Sequence, residues 1–145
     1  MRPTAIQIES FLSLNSVDFE KLGSTEHDRI TEQWRLAFAR DVKNATGEWI
    51  HKRFRWHGFS FDYQKSIRGT EALDVYQSQW SAPFVIFDEE GTWSYICTSN
   101  AFPDFSSFGA DIYVAHKNMK WTMAFTHEQP DIGPFFAEKA VQNGY

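Results

Sequence analysis

"PFVIFDEEGTWSYICTS", residues 83–99, is the stretch that decides the fold of this chain. Two runs rich in β-branched and aromatic residues flank the acidic residues 88–90, and Gly91 follows these acids. Strand-forming runs on both sides of a short turn are typical of a β-hairpin, because glycine adopts the positive φ that such a turn requires. The stretch therefore predicts two neighbouring antiparallel strands.

A second hairpin is predicted further along the chain. "DIYVA", residues 111–115, and "MKWTMAFTHE", residues 119–128, flank a polar turn. Side chains alternate between the two faces of a strand, so Trp121 and His127 point one way and Glu128 points the other. We therefore expect His127 at the rim of the core, where it does not act on the same substrate atom as Glu128.

Helical spacing predicts three helices. The first is capped by Ser24 or Thr25 and carries apolar residues three and four positions apart. The second spans residues 71–80 behind a Thr70 cap, and a short last helix spans residues 135–141. The chain therefore combines helices with hairpins.

Two further segments complete the predicted fold. Residues 48–63 alternate in the manner of a strand, and residues 1–23 form an arm or an edge strand. Antiparallel hairpins combined with separate helices are typical of the α+β class. We predict one α+β domain over residues 1–145, with a mainly antiparallel sheet of about four to five strands and with helices packed on one face.

Composition places the chain among globular proteins of a reducing compartment. Of its 145 residues, 42% are apolar and 17% are aromatic, which supplies a core large enough to offset chain entropy. Cys97 is the only cysteine, so no disulfide forms within the chain. Glu9 interrupts the first apolar run, and no run reaches the roughly 18 apolar residues of a membrane span. We predict a cytoplasmic protein without membrane contact.

The charges are distributed unevenly along the chain. The net charge is -5, and residues 69–116 hold seven acidic residues but no lysine or arginine. Acids that meet on one surface attract cationic partners and repel phosphate backbones, whereas dispersed acids only keep the protein in solution. The sequence leaves both interpretations open. The first of them predicts a basic protein partner and no nucleic acid.

Several motifs resemble those of a known family. They are "WRLAFARDV" (residues 34–42), "FRWHGFSFDY" (residues 54–63), "TEALDVYQ" (residues 70–77), "PFVIFDEEGTWSYI" (residues 83–96) and "DIYVAHKNMKWTMAFTHEQPDIGPFF" (residues 111–136). In these motifs the chain is similar to the bacterial DUF4275 family of uncharacterised proteins, from about Trp34 to Phe136. The resemblance implies a small bacterial domain and supplies no catalytic residues.

Small size, the acid-rich middle of the chain and the lack of a catalytic motif favour a binding protein. We predict an immunity protein that neutralises a basic toxin, such as a nuclease domain, because clustered acids mimic phosphate groups and aromatic residues anchor an interface. The residues predicted to bind the partner lie in the first hairpin turn and in the segment before the second hairpin. They are Asp88, Glu89, Glu90, Asp104, Phe105 and Asp111.

Two other functions remain open at the level of the sequence. A small hydrolase or nuclease would use His57, His127 or both as general base, with Asp111 or Glu128 orienting the imidazole. A regulatory domain would instead bind a ligand in an aromatic-lined pocket. Histidines without ligand spacing do not indicate a metal site. We therefore assign no catalytic residue, no metal and no cofactor.

Overall fold

The computed structural model describes residues 2–39, 54–62 and 64–139 of the chain. Within these residues, seven strands form one antiparallel sheet. The strands are β1 (Asp18–Lys21), β2 (Ile67–Arg68), β3 (Phe84–Asp88), β4 (Ser94–Thr98), β5 (Ile112–His116), β6 (Trp121–Phe125) and β7 (Phe135–Glu138). Their spatial order is β1-β4-β3-β5-β6-β7-β2. The helices are α1 (Ala5–Leu14), α2 (Ser24–Phe38), α3 (His57–Ser60) and α4 (Thr70–Gln77). The fold is therefore α+β.

The two predicted hairpins are confirmed and form the centre of the sheet. β3 and β4 flank the first turn, in which Gly91 has a φ of 73°. β5 and β6 flank the second turn, and β3 pairs with both β4 and β5. The hairpins therefore lie side by side, and every residue of β3 and β6 is buried.

Helices cover both faces of the sheet, so the prediction of one covered face was wrong. α1 and α4 pack on the face that carries Phe84 and Ile86, whereas α2 and α3 pack on the face that carries Val85 and Phe87. A strand that is covered on both faces is apolar throughout instead of alternating. The unbroken apolar run at residues 84–87 of β3 is the sequence pattern expected for such a strand.

The sheet has seven strands and not the predicted four to five. The additional strands are short and pair with distant segments, β1 with β4 and β2 with β7. Local pattern carries little information about a strand of two or four residues, because its pairing partner holds it in place. β1 lies at one edge of the sheet, within the segment predicted as an arm or edge strand, and α1 precedes it.

Residues 54–61, predicted as part of a strand, form a turn followed by α3. Trp56 explains this conformation, because its backbone N–H donates to the Tyr113 hydroxyl at 3.0 Å and its indole N–H donates to Asp111 at 2.9 Å. Such contacts decide the structure of a short aromatic segment that periodicity alone cannot classify. Residues 48–53 of the predicted strand lie outside the described residues.

Residues 135–138, predicted as the start of a helix, form β7 instead. Three successive residues of this strand, Phe135, Phe136 and Ala137, are buried. β7 lies between β6 and β2, where a strand buries side chains on both of its faces, whereas a surface helix buries only one stripe. Residues 140–141 of the predicted helix lie outside the described residues.

Two predicted helices are confirmed, with shifted ends. α2 begins at Ser24 and α4 at Thr70, so a predicted cap residue is the first helical residue in both. Gly23 and Gly69 occupy the N-cap positions. Gly69 has a φ of 73°, which a residue with a side chain rarely adopts. None of the helices in the described ranges combines the length and the apolar character that crossing a membrane requires.

Candidate functional site

Asp88 closes the first hairpin turn from the inside. It is 3% exposed, and its Oδ1 accepts hydrogen bonds from the backbone N–H of Thr92 at 2.7 Å and of Trp93 at 3.3 Å. Aspartate side chains that bond to nearby backbone N–H groups stabilise turns. The Asp88 carboxylate therefore organises the hairpin.

Glu89 is held beneath the segment that precedes α3. Its Oε1 accepts hydrogen bonds from the Arg55 backbone N–H at 2.7 Å and from the Tyr113 hydroxyl at 2.5 Å, and its Oε2 accepts one from Arg55 Nη1 at 2.6 Å. The Glu89 side chain is only 10% exposed. Burial raises the pKa of Glu89 from 4.5 to about 7, although the Arg55 charge and the Tyr113 hydrogen bond act in the opposite direction. Glu89 therefore ties the hairpin to Arg55.

Asp111 is a second buried carboxylate, and it connects the α3 segment with the end of β6. It is 7% exposed and accepts hydrogen bonds from the Trp56 indole N–H and from the His127 backbone N–H, each at 2.9 Å. Its carboxylate also lies 2.9 Å from His127 Nδ1. Buried carboxylates require such donors to offset the loss of water. Asp111 is thus satisfied from within the protein.

Phe105 and Asp104 also have roles inside the fold. Phe105 is 0% exposed, and its ring centroid lies 5.0 Å from that of Phe11 in α1. Asp104 is half-buried and accepts a hydrogen bond from the Ser106 backbone N–H at 2.8 Å. The Phe105 side chain therefore offers no surface to a partner in this conformation.

Glu90 is the exposed member of the predicted partner-binding set. Its carboxylate lies 3.8 Å from Arg2 Nη1, and no shorter ion pair of Glu90 occurs among the described residues. Glu89 and Asp111 do lie together, since the Glu89 backbone N–H donates to the Asp111 carbonyl at 3.1 Å. Both carboxylates face inward, however. The structure therefore does not place the six predicted residues on one exposed surface.

A cleft of about 260 Å³ lies between α3 and the loop that joins β6 to β7, and we call it the α3 cleft. Three separate segments line it: α3 with its flanking residues, the end of β2, and the loop. The residues that line it include Trp56, His57, Phe61, Arg68, Glu128, Asp131 and Ile132. The sheet thus brings together residues that are distant in sequence.

The rim of the α3 cleft is apolar and exposed. Phe61 is 57% exposed and Ile132 is 37% exposed, and both residues line the cleft. The Phe61 ring centroid lies 5.1 Å from that of His57, which also lines the cleft. The rim therefore offers aromatic and aliphatic surface to solvent.

The charged residues of the α3 cleft differ in their partners. Arg68 Nη2 lies 2.8 Å from Asp62 Oδ1 and 3.3 Å from the Phe59 carbonyl oxygen, so its guanidinium group is engaged. Glu128 and Asp131 are exposed, and neither carboxylate has a hydrogen-bond or ion-pair partner among the described residues. The cleft therefore presents two unneutralised negative charges.

The loop that carries these carboxylates has a defined shape. The Thr126 hydroxyl donates to the Ile132 carbonyl, and the Ile132 backbone N–H donates to the Glu128 carbonyl at 2.9 Å. Gly133 has a φ of 89°, and a Cβ atom at this position would lie 2.9 Å from Thr126 Cγ2. Only glycine fits here without a shift of its neighbours. The loop is therefore closed by its own contacts rather than by a ligand.

Two histidines lie near the α3 cleft. The ring centroids of His57 and His127 each lie 5.1 Å from that of Phe54. Asp111 holds His127 through Nδ1, and the His127 side chain is 41% exposed. An imidazole that a buried carboxylate orients and that remains accessible is the arrangement of a general base. Within the described ranges, no three His, Cys, Asp or Glu side chains are grouped as metal ligands would be.

Sequence reasoning named His57, His127, Asp111 and Glu128, of which His57 and Glu128 line the cleft. It missed the other residues of the cleft, among them Phe61, Arg68 and Asp131. His127 also lies elsewhere than alternation predicts, because β6 ends at Phe125 and the imidazole packs near Trp56 on the α2–α3 face. The sequence feature that could have indicated the cleft is the cluster of proline and glycine at residues 130–134. Such irregular loops on a rigid sheet frequently carry binding residues.

Comparisons with known proteins identify a family but no activity. No curated protein and no solved structure matches the chain. The family model described as "Domain of unknown function (DUF4275)" matches residues 13–136, which include every residue that lines the α3 cleft. Because the match extends over most of its length, the chain belongs to the DUF4275 family.

Proposed function

We propose that this protein binds a basic protein partner through the α3 cleft, and that it acts as an immunity protein by covering the active cleft of a toxin. The observation that supports this best is the combination, at one cleft, of an exposed apolar rim with carboxylates that lack a described partner. Apolar anchors surrounded by charged groups are typical of protein interfaces. Phe61 and Asp131 are the central residues of this surface.

The size of the α3 cleft favours a protein side chain over a small molecule. Its volume of about 260 Å³ lies below the roughly 300–1,000 Å³ of sites that enclose drug-sized ligands. A cleft of this size accommodates one side chain of a partner. For the same reason, the α3 cleft gives little support to the alternative of a regulatory domain with an aromatic-lined ligand pocket.

The charge of the protein favours a basic partner. The whole chain has a net charge of -5, and the loop beside the cleft carries two exposed carboxylates, Glu128 and Asp131. Arg68 does not neutralise these two carboxylates because it is paired with Asp62. Opposite charges raise the rate of association and disfavour partners of the wrong sign. We therefore expect a partner with lysine or arginine around its anchor residue.

Affinity capture from an extract of the host that encodes the protein tests this proposal. The bait proteins are the wild type, the cleft variant Phe61→Ala with Asp131→Asn, and a control variant, Leu14→Ala with Asp18→Asn. The control removes the same kinds of side chain from exposed sites near β1, at the sheet edge opposite β2.

We expect one basic protein to be retained by the wild type and by the control but not by the cleft variant, and to be released by salt. Production of the captured protein alone is expected to be toxic, and coproduction of the wild type is expected to relieve the toxicity. Equal capture by the cleft variant would show that another surface binds. A captured protein without toxicity would contradict the immunity function.

A second candidate function is a small hydrolase or nuclease, and it is favoured by the distance of 2.9 Å between Asp111 and His127 Nδ1. In this hypothesis His127 removes a proton from water, and Asp111 stabilises the imidazolium that results. Its weakness is that His127 does not line the α3 cleft.

Hydrolysis of bis(p-nitrophenyl) phosphate and p-nitrophenyl acetate tests the second candidate. His127→Gln should lower the rate by about a hundredfold or more, which is the usual contribution of a general base. His116→Gln is the matched control, because His116 ends β5 at the opposite end from Asp111. Equal rates in the wild type and both variants would eliminate His127 as a catalytic residue.

A further inference from the structure

We propose that the partner residue which fills the α3 cleft is an arginine. This inference rests on the proposed function, because it names the anchor residue of the same interface. The inference follows from the carboxylates and the aromatic ring that line the cleft, and from the exposure of these groups to solvent.

The carboxylates of the cleft are accessible to a cation of a partner. Glu128 and Asp131 lie on one closed loop, and neither has a partner among the described residues. Arg68 Nη2 is bonded to Asp62 at 2.8 Å, and the guanidinium carbon of Arg68 lies 5.3 Å from the centroid of the Phe135 ring. No ion pair joins Arg68 to either carboxylate among the described residues. An incoming cation therefore meets two carboxylates without displacing an existing ion pair.

The aromatic rim distinguishes arginine from lysine. A guanidinium group is planar and weakly hydrated, stacks on aromatic rings and donates several hydrogen bonds to carboxylates at once. The ammonium group of lysine is compact and strongly hydrated, so it gains less from an aromatic surface. Phe61 is 57% exposed beside His57, and Glu128 and Asp131 line the same cleft. This combination fits a stacked and bidentate guanidinium.

The fold already uses the same mode of recognition within the chain. The Arg55 guanidinium carbon lies 5.5 Å from the Phe87 ring centroid, while Arg55 Nη1 bonds to Glu89 at 2.6 Å. Arg55 thus pairs an aromatic ring with a carboxylate, as we infer for the partner residue. The difference is that the α3 cleft is accessible from solvent.

Titrations followed by ¹H–¹⁵N NMR test this inference on the full chain. The probes are Nα-acetylarginine methylamide, its lysine counterpart and its citrulline counterpart, which has nearly the shape of arginine but no charge. We expect the arginine probe to shift the amide signals of Phe61, Asp131 and Gly133 and to saturate in the millimolar range. The citrulline probe should bind about tenfold more weakly, and the lysine probe several times more weakly.

Paired variants separate local recognition from the overall charge of the protein. Glu128→Gln with Asp131→Asn should weaken binding of the arginine probe by about tenfold. Asp18→Asn with Glu20→Gln removes the same number of charges from β1 and should leave binding unchanged. Equal weakening by both pairs would mean that only net charge matters, which would overturn the inference.

Other outcomes also decide the question. Equal binding of lysine, equal binding of citrulline, or the lack of any shift at the cleft would each exclude an arginine pocket. None of these outcomes excludes the proposed function, because a partner captured through Phe61 can use another anchor residue. Conversely, arginine binding at the cleft without a captured partner would support the arginine specificity of the cleft and contradict the proposed function.

Discussion

The first hairpin turn, residues 88–91, and the α3 cleft are both acidic, but their carboxylates are used differently. Asp88 and Glu89 accept hydrogen bonds from within the fold and are largely buried. Glu128 and Asp131 are exposed and have no partner among the described residues. Nearby hydrogen-bond donors, and not the density of acids along the chain, therefore decide whether a carboxylate supports the fold or remains available for binding.

The largest expected effect comes from breaking an internal pair near the hairpin turn. Arg55→Met removes the cation that faces Glu89, and the buried carboxylate of Glu89 keeps only the backbone N–H of residue 55 and the Tyr113 hydroxyl as donors. We expect a loss of about 4 kcal/mol in the free energy of unfolding at pH 8. Urea denaturation followed by tryptophan fluorescence measures this loss. A loss below about 1 kcal/mol would mean that water reaches Glu89 and that the pair is a surface pair.

The next effect is a dependence of stability on pH. The pKa of Glu89 is raised from 4.5 to about 7 in the folded protein, mainly by burial, so the folded state holds this proton more tightly than the unfolded state. The contribution of Glu89 to the free energy of unfolding therefore falls by about 3 kcal/mol as the pH rises from about 4.5 to about 7.

Glu89→Gln isolates this contribution, because glutamine does not titrate. The difference in unfolding free energy between the wild type and Glu89→Gln should change with pH over this interval and become constant above it. Chemical denaturation at half-unit steps of pH provides the measurement. Parallel curves for the two proteins would show that Glu89 titrates in the folded state as it does in the unfolded state.

A smaller effect is expected from Asp111. Asp111→Ala leaves the Trp56 indole N–H and the His127 backbone N–H without their acceptor, which should cost about 2 kcal/mol. Thermal unfolding followed by circular dichroism records the change. Asp131→Ala in the cleft is the matched control and should stay within about 0.5 kcal/mol of the wild type. A similar loss in both variants would remove the contrast between internal and exposed carboxylates.

The smallest effect on stability is expected in the cleft itself. Phe61→Ala combined with Asp131→Asn alters exposed side chains and should change the free energy of unfolding by less than about 0.5 kcal/mol. The same double variant should weaken binding to the captured partner by tenfold or more, since interface anchors frequently contribute about 2 kcal/mol. Calorimetry of binding and of unfolding on the same samples separates the two effects. A clearly destabilised variant would assign Phe61 to the core.

The sequence predicted individual residues of the candidate site but not how the segments that form it come together. Asp111 and His127 were named from residue type as a carboxylate that orients a general base, and they lie 2.9 Å apart. The α3 cleft was not predicted, because Phe61, Arg68 and Asp131 belong to three segments that only the sheet brings together. The hairpin acids were assigned to the surface from their polarity, since a sequence does not show which donors approach a carboxylate.

The sequence by itself determined the two hairpins, α2, α4 and the α+β class, because turns, capping and periodicity act between residues that are near one another in the chain. The extension of the sheet by β1 and β2, and the strand at residues 135–138, were established only by the tertiary structure. These features depend on pairing with distant segments, as in the register of Phe136 with Met123 and with Ile67. Long-range pairing is set by burial and by backbone hydrogen bonds between segments, and local pattern carries no record of it.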